Sequence, residues 1–127
     1  MANFSTYGKS FVAKTVFTAE AVTRPTAWYI GVGTGHTSSG LTGEPSGNGY
    51  SRQQVVFTES GGVATLDGAE SFGPCSGTTW GTIASAAIFD AATAGNCLAV
   101  GALTASRVIE VGDSLTVASA ALTFTVS

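Results

Sequence analysis

The alternation of apolar and polar positions is densest between Trp80 and Leu103, and it predicts one β-hairpin around which the rest of the chain is arranged. From Thr82 to Phe89, the residues Ile83, Ser85, Ala87 and Phe89 fall on one side and Ala84, Ala86 and Ile88 on the other. Both sides are apolar, which is the pattern of a central strand covered on two faces. Asp90 ends the run. Its short carboxylate is expected to accept from backbone N–H groups one or two residues on, with A-A-T-A-G-N as the loop. Cys97 to Leu103 returns, and the absence of charge from both strands implies that each faces protein on at least part of each side.

Before this hairpin, Phe4, Tyr7, Phe11, Val12 and Val16 make a helical stripe, so residues 4–17 are read as a short amphipathic helix, with a strand as the alternative because Thr15, Val16 and Thr18 are β-branched. Arg24-Pro25 ends that segment, since a residue preceding proline is pushed out of the α region. Thr26 to Val32 and Tyr50 to Thr58 read as strands, separated by Gly33 to Gly49, a long polar surface loop with too little apolar content to pack. The E-S-G-G turn leads into Val63 to Leu66 as a second hairpin, and a short strand follows around Ser71 to Gly73. Arg107 to Val111 and Ser114 to Val117 flank Gly112-Asp113 as a further hairpin, and Leu122, Phe124 and Val126 alternate with threonines in a last half-buried strand. About eight short strands, punctuated roughly every ten residues by Gly and Asp turns, predict an all-β fold: a β-sandwich or jelly-roll-like barrel with a short N-terminal helix. Residues 1–25 form an arm or helix and 26–127 the sandwich, together one folding unit of a size that needs neither metal nor disulfide.

Composition changes this picture in one respect. Charged residues are 10% of the chain against roughly 25% in an ordinary soluble domain, and after Lys14 there is no lysine with which to blunt a sheet edge. Much of the surface is therefore expected to be covered in service, by a homo-oligomer, for which a trimer is one suitable order, or by a larger assembly. A net charge of -3 with no basic stripe excludes a nucleic-acid partner, and no apolar run is long enough for a membrane span. The first twenty residues lack a secretory core, which points to synthesis in the cytoplasm and favours reduced Cys75 and Cys97 over a bridge between them.

Candidate chemistry is sparse. Gly31-Val32-Gly33-Thr34-Gly35-His36 has histidine where a dinucleotide loop needs its third glycine, and Gly8-Lys9-Ser10 has Asn3 where a phosphate loop needs its first. The two cysteines and one histidine match no zinc spacing. His36 has no acid near it in sequence, and a triad through Ser38 or Ser39 would need a distant aspartate. No catalytic, cofactor or metal residue is expected. Arg52 stands out as the lone charge in its strand, flanked by Tyr50, Gln53 and Gln54. It is expected to be paired inside the subunit, with Asp90 or Asp113 as the preferred carboxylate, an intersubunit contact being the other reading. Trp28 and Trp80, which open strands, are expected to be core or interface anchors, not ligand platforms.

The blocks W-Y-I-G-V-G-T-G, E-P-S-G-N-G-Y-S-R-Q-Q-V-V-F, W-G-T-I, I-F-D-A-A-T-A-G-N-C-L with G-A-L-T, V-G-D-S-L-T-V and A-L-T-F-T-V, in this order over residues 28–127, resemble a group of small structural proteins of tailed-bacteriophage virions, labelled tail-fibre or head-decoration proteins. The resemblance implies a structural virion component without catalytic residues, a short helix at the start, and capsid or tail subunits as partners. Two placements follow. Because the chain lacks the coiled-coil or repetitive stalk of a free-standing fibre, the favoured one is a capsid decoration, cement or head-fibre protein that clamps neighbouring capsid subunits. The other is a tail or tail-fibre module that contacts the host surface.

Overall fold

In a computed structural model, which describes residues 3–118 and 123–125, the chain is mostly β, with one helix near its N-terminus and all strands antiparallel. The principal sheet has the order β1 (Asn3–Phe4), β10 (Cys97–Ile109), β9 (Gly81–Phe89), β2 (Trp28–Gly33), β5 (Gln53–Val55), so the expected hairpin lies at its centre. Smaller sheets are built from β6 (Phe57–Ser60), β7 (Val63–Leu66) and β12 (Thr123–Thr125), and from β8 (Glu70–Phe72) with β11 (Leu115–Val117). One face of the principal sheet packs on these, burying Ile30, Val32, Ile83 and Ile88 against Leu66, Phe72, Leu115 and Val117 in a sandwich core that also takes in Trp80 and Cys75. Among the described residues the sheets stay open and no barrel closes.

Several expected boundaries shift for identifiable reasons. The stretch 50–58 is two strands, not one: β5 pairs with β2, and β6 turns away at exposed Val56 to pair with β7 in another sheet. Segments 107–111 and 114–117 do not pair with each other, because β10 continues on β9 as far as Ile109 and β11 pairs with β8. Gly112-Asp113 is still a turn, closed by the Asp113 N–H on the Glu110 carbonyl and by the Glu110 N–H on the Asp113 carboxylate. The even alternation expected of β9 also fails at one residue. Ala87 and Phe89 pack with Cys97 and Val100 on the second face of the sheet, whereas Ile83 joins Ala86 and Ile88 on the first. A register shift lies between the pairs Ala102↔Ser85 and Arg107↔Ile83, and such an irregularity carries a side chain to the other face. Of the last strand, Leu122 and Val126 lie outside the described residues.

The helix α1 (Thr6–Phe17) forms where the stripe places it, but the stripe is not what holds it. Tyr7, Val16 and Phe17 remain 41%, 63% and 82% exposed. Its anchor is the first turn. Buried Ser5 caps it by accepting from the Gly8 N–H and donating to the Cys97 carbonyl, and Gly8 lies so close to β10 that a Cβ there would be 2.1 Å from the Leu98 carbonyl oxygen. Both cysteines are free and buried in separate apolar clusters.

Candidate functional site

The stretch 33–49, expected to be a structureless loop, instead supplies the second cover of the principal sheet. Gly35–Thr37 (β3) and Gly40–Thr42 (β4) pair as a hairpin whose Leu41 packs on the cluster of Ala87, Phe89, Cys97 and Val100. So short and polar a hairpin buries little apolar area by itself, and its place is set by polar contacts. His36 is exposed but not without a partner, since its Nδ1 lies 2.7 Å from the hydroxyl of Ser85 on β9. The chain after β4 is fastened more strongly.

There, Arg52 engages Glu44 in a two-pronged pair, with Nε to Oε2 at 2.8 Å and Nη2 to Oε1 at 2.9 Å. Its Nη1 donates to the carbonyls of Ala91 (3.1 Å) and Ala94 (2.8 Å), and its guanidinium carbon stands 3.5 Å from the centre of the Phe89 ring. One side chain thereby joins segment 43–50, the β9–β10 loop and the sheet. Tyr50 completes the clamp. Its hydroxyl donates to Glu44 Oε2 (2.6 Å) and accepts the Val32 N–H (3.1 Å), a strand position beyond the last β5 partner, Gln53, which stands opposite Ile30. Its ring stacks on Phe72 and meets Trp80 edge-on. Gly31 is a precondition, because a Cβ there would lie 2.8 Å from Glu44 Oε2 and 3.0 Å from the Tyr50 hydroxyl.

The electrostatics follow from this geometry. Partial burial pushes the Glu44 carboxyl up, but its bonds from Arg52 and Tyr50 outweigh that and hold it below the ordinary carboxylate value. For Arg52 burial acts against the charge and Glu44 more than restores it. Burial and the carboxylate together raise the Tyr50 phenol well above its usual range, and burial lifts the Cys97 thiol to about 11, so neither is a nucleophile at neutral pH.

The expected pairing of Arg52 inside the subunit therefore has a different acid. Asp90 is occupied with Asn96, accepting from its backbone N–H at 2.7 Å and its side-chain amide at 3.0 Å, six residues on and not one or two, and so it closes the β9–β10 loop. Asp113 holds its own turn, its carboxylate accepting from the Glu110 N–H. Tyr50, Arg52 and Trp80 come together, the last fully in the core with its indole N–H on the Asn48 carbonyl. Trp28 is half-buried against the sandwich core, at an apolar cleft lined also by Phe4, Val56, Ile88 and Leu98. The residue missed by sequence reasoning is Glu44. Its signal was present as the sole acid within the 33–49 stretch, eight positions before Arg52, but reading that stretch as solvated loop removed it from consideration.

The clamp leaves a cleft of about 340 Å³ between Pro45, Ser46 and Gly47 on one side and Ala92, Thr93 and Ala94 on the other. Among the described residues no group of three or more His, Cys, Asp or Glu converges as a metal site, and no helix is long and apolar enough to cross a membrane. Glu44, Arg52 and Tyr50 satisfy one another and hold backbone. The chain belongs to the family described as podophage GP4 fiber I protein gp80, whose model it matches over residues 3–125. No curated protein matches the chain. It is thus a fibre protein of a phage virion, not an enzyme, and the favoured reading as capsid cement gives way to the fibre alternative. The missing stalk misled that reading: one chain without a coiled coil says nothing about the other chains of the fibre to which it contributes.

Proposed function

We propose that this chain is the fibre module that meets the host surface, through the end of the sandwich where residues 43–50 and 90–96 come together. The observation that carries the reading is the Arg52 clamp, which locks two loops remote in sequence with four hydrogen bonds. Their exposed rim, Ser46, Gly47, Ala92 and Thr93, is uncharged and needs little further ordering when a partner binds, so less entropy is lost on contact. A labelled full-length chain should bind host cells, and Thr93→Arg, which places a bulky charge on the rim, should weaken that binding while leaving the unfolding midpoint unchanged. Binding that is indifferent to the rim, or addition of the chain to phage heads alone, would sink the reading.

Homo-oligomerisation, with a trimer as the order suited to a fibre, is supported by two surfaces. The distal half of α1 carries Val16 and Phe17 exposed, and among the described strands nothing pairs with the outer edge of β10 beyond Val100, where β1 ends. Residues 1–25 then act as an arm of the same folding unit, tied at Ser5 and Gly8 and free to pack on neighbouring copies farther along. Native mass spectrometry of the full chain should give one oligomer that Phe17→Ser dissociates. A monomer at high concentration would overturn this part.

A further inference from the structure

Between the first turn of α1 and the β3–β4 hairpin lies a second polar cleft, of about 570 Å³, lined by Asn3, Phe4, Lys9, His36, Thr37, Ser38 and Val100. It is separate from the clamp, whose cleft is lined by the paired charges of Glu44 and Arg52. The chain as a whole is acidic, with eight acids against five Lys and Arg, yet this lining holds a lysine and the only histidine and no carboxylate. Lys9 is exposed and makes no ion pair with any described residue. Its neighbours are hydroxyl and amide groups of Thr37, Ser38 and Asn3, and the floor is the apolar side chain of Val100.

The histidine is held, not loose. Its Nδ1 is 2.7 Å from the Ser85 hydroxyl, which is 3% exposed and has no other partner among the described residues. When the Ser85 hydroxyl donates to Nδ1, the ring proton lies on Nε2, which bonds to no described residue and is left for the cleft that His36 lines. The walls are fixed to each other as well, by the Thr6 N–H on the Ser38 carbonyl at 2.9 Å. The helix terminus is not the source of attraction, since the N–H groups of Thr6, Gly8 and Lys9 are already taken by Ser38 and Ser5. The polar groups of the cleft are side chains: an ammonium without an ion pair among the described residues, an imidazole held at Nδ1, and hydroxyls.

We propose that this cleft binds an oxyanion carried on a saccharide, a phosphoryl or carboxylate group seated between Lys9 and His36 with the sugar against Thr37, Ser38 and Val100. The volume suits a monosaccharide with its charged group, and the combination of one cation, one imidazole and several hydroxyls is what an anionic sugar requires. That such a sugar belongs to the host surface rests on the function proposed above; the site itself does not.

With one histidine in the chain, its ring resonances report the cleft without ambiguity. The full chain is titrated with glucose 6-phosphate, galacturonate and neutral glucose. The two anionic sugars are expected to shift the His36 ring signals saturably, the stronger of them naming the anion, while glucose does not. Lys9→Gln, at an exposed position that leaves the fold alone, is expected to weaken the better ligand about tenfold, as loss of a charge-assisted hydrogen bond does. Shifts that are linear in concentration, equal for glucose, or undiminished in Lys9→Gln would overturn the site. In a separate arm the better sugar competes with binding of the full chain to host cells. Saturable binding of the free sugar without competition on cells would leave the site standing and overturn its assignment to a host glycan.

Discussion

The two faces of the principal sheet are buried by different physics. On the first, Ile30, Val32, Ile83 and Ile88 meet Phe72, Leu66, Leu115 and Val117, and an apolar interior of closely packed side chains does the work. On the second, the apolar contact among the described residues is a cluster of four buried residues with Leu41, and the cover is kept in place by an ion pair, a guanidinium on an aromatic ring and a handful of hydrogen bonds. The first face supplies stability without direction. The second supplies direction, because each bond is specific for one geometry, at a smaller net gain per contact. A protein that must present loops in a set arrangement benefits from placing the directional face beneath them.

The difference should be visible in variants. Phe72→Ala removes a ring that is 1% exposed and is expected to lower global stability by about 3–5 kcal/mol, with every probe of folding shifting together in urea denaturation. Arg52→Met is expected to cost about 2–3 kcal/mol, less than the loss typical of a fully buried pair because the Glu44 side chain is 23% exposed. Its signature is local: hydrogen exchange should accelerate in 43–50 and 90–96 and not in β8 or β11. Equal acceleration in all four segments would show that the faces are not separable. Gly31→Ala should reproduce the same local pattern by displacing the Glu44 carboxylate.

The clamp also sets how stability depends on pH. The folded value of Glu44 is below its ordinary 4.5, so the contribution of the pair is complete above that value and fades as pH falls through the folded one. Tyr50 and Cys97 shift the other way, from 10.0 and 9.0 upward, so stability should decline as the solution passes 9, with Cys97 contributing until about 11. Urea midpoints measured across pH should show both limbs, and Glu44→Gln should flatten the acid one. The smallest effect is expected of His36→Ala, which removes one hydrogen bond and should cost about 1 kcal/mol in the same denaturation assay, where a wholly solvated loop histidine would cost nothing.

The sequence by itself determined the elements whose signals are local. The uncharged alternation of 82–89 and 97–103 marks a strand pair covered on both sides, the spacing of Tyr7, Phe11 and Val16 marks a helix, and the glycines after Ser60 mark a turn. Each depends on a few consecutive backbones, and the pattern of side chains along them carries the information. It also marked Arg52 as a charge in need of a partner, since a guanidinium within an uncharged strand cannot be left unpaired when buried. Which acid answers it was decided only in three dimensions. Asp90 and Asp113 are nearer in kind, both at strand ends, but each is used up by its own turn, and Glu44 reaches Arg52 because β3 and β4 dock on a sheet face that exists only after β2, β9 and β10 have assembled. The same holds for Ile83, carried across the sheet by a register shift set by its partner strand, and for α1, whose apolar stripe predicts burial against this chain while the observed anchor is a serine and a glycine in its first turn. Local periodicity states that a surface must be covered. What covers it depends on contacts between segments far apart in the chain, whose geometry comes into being with the fold.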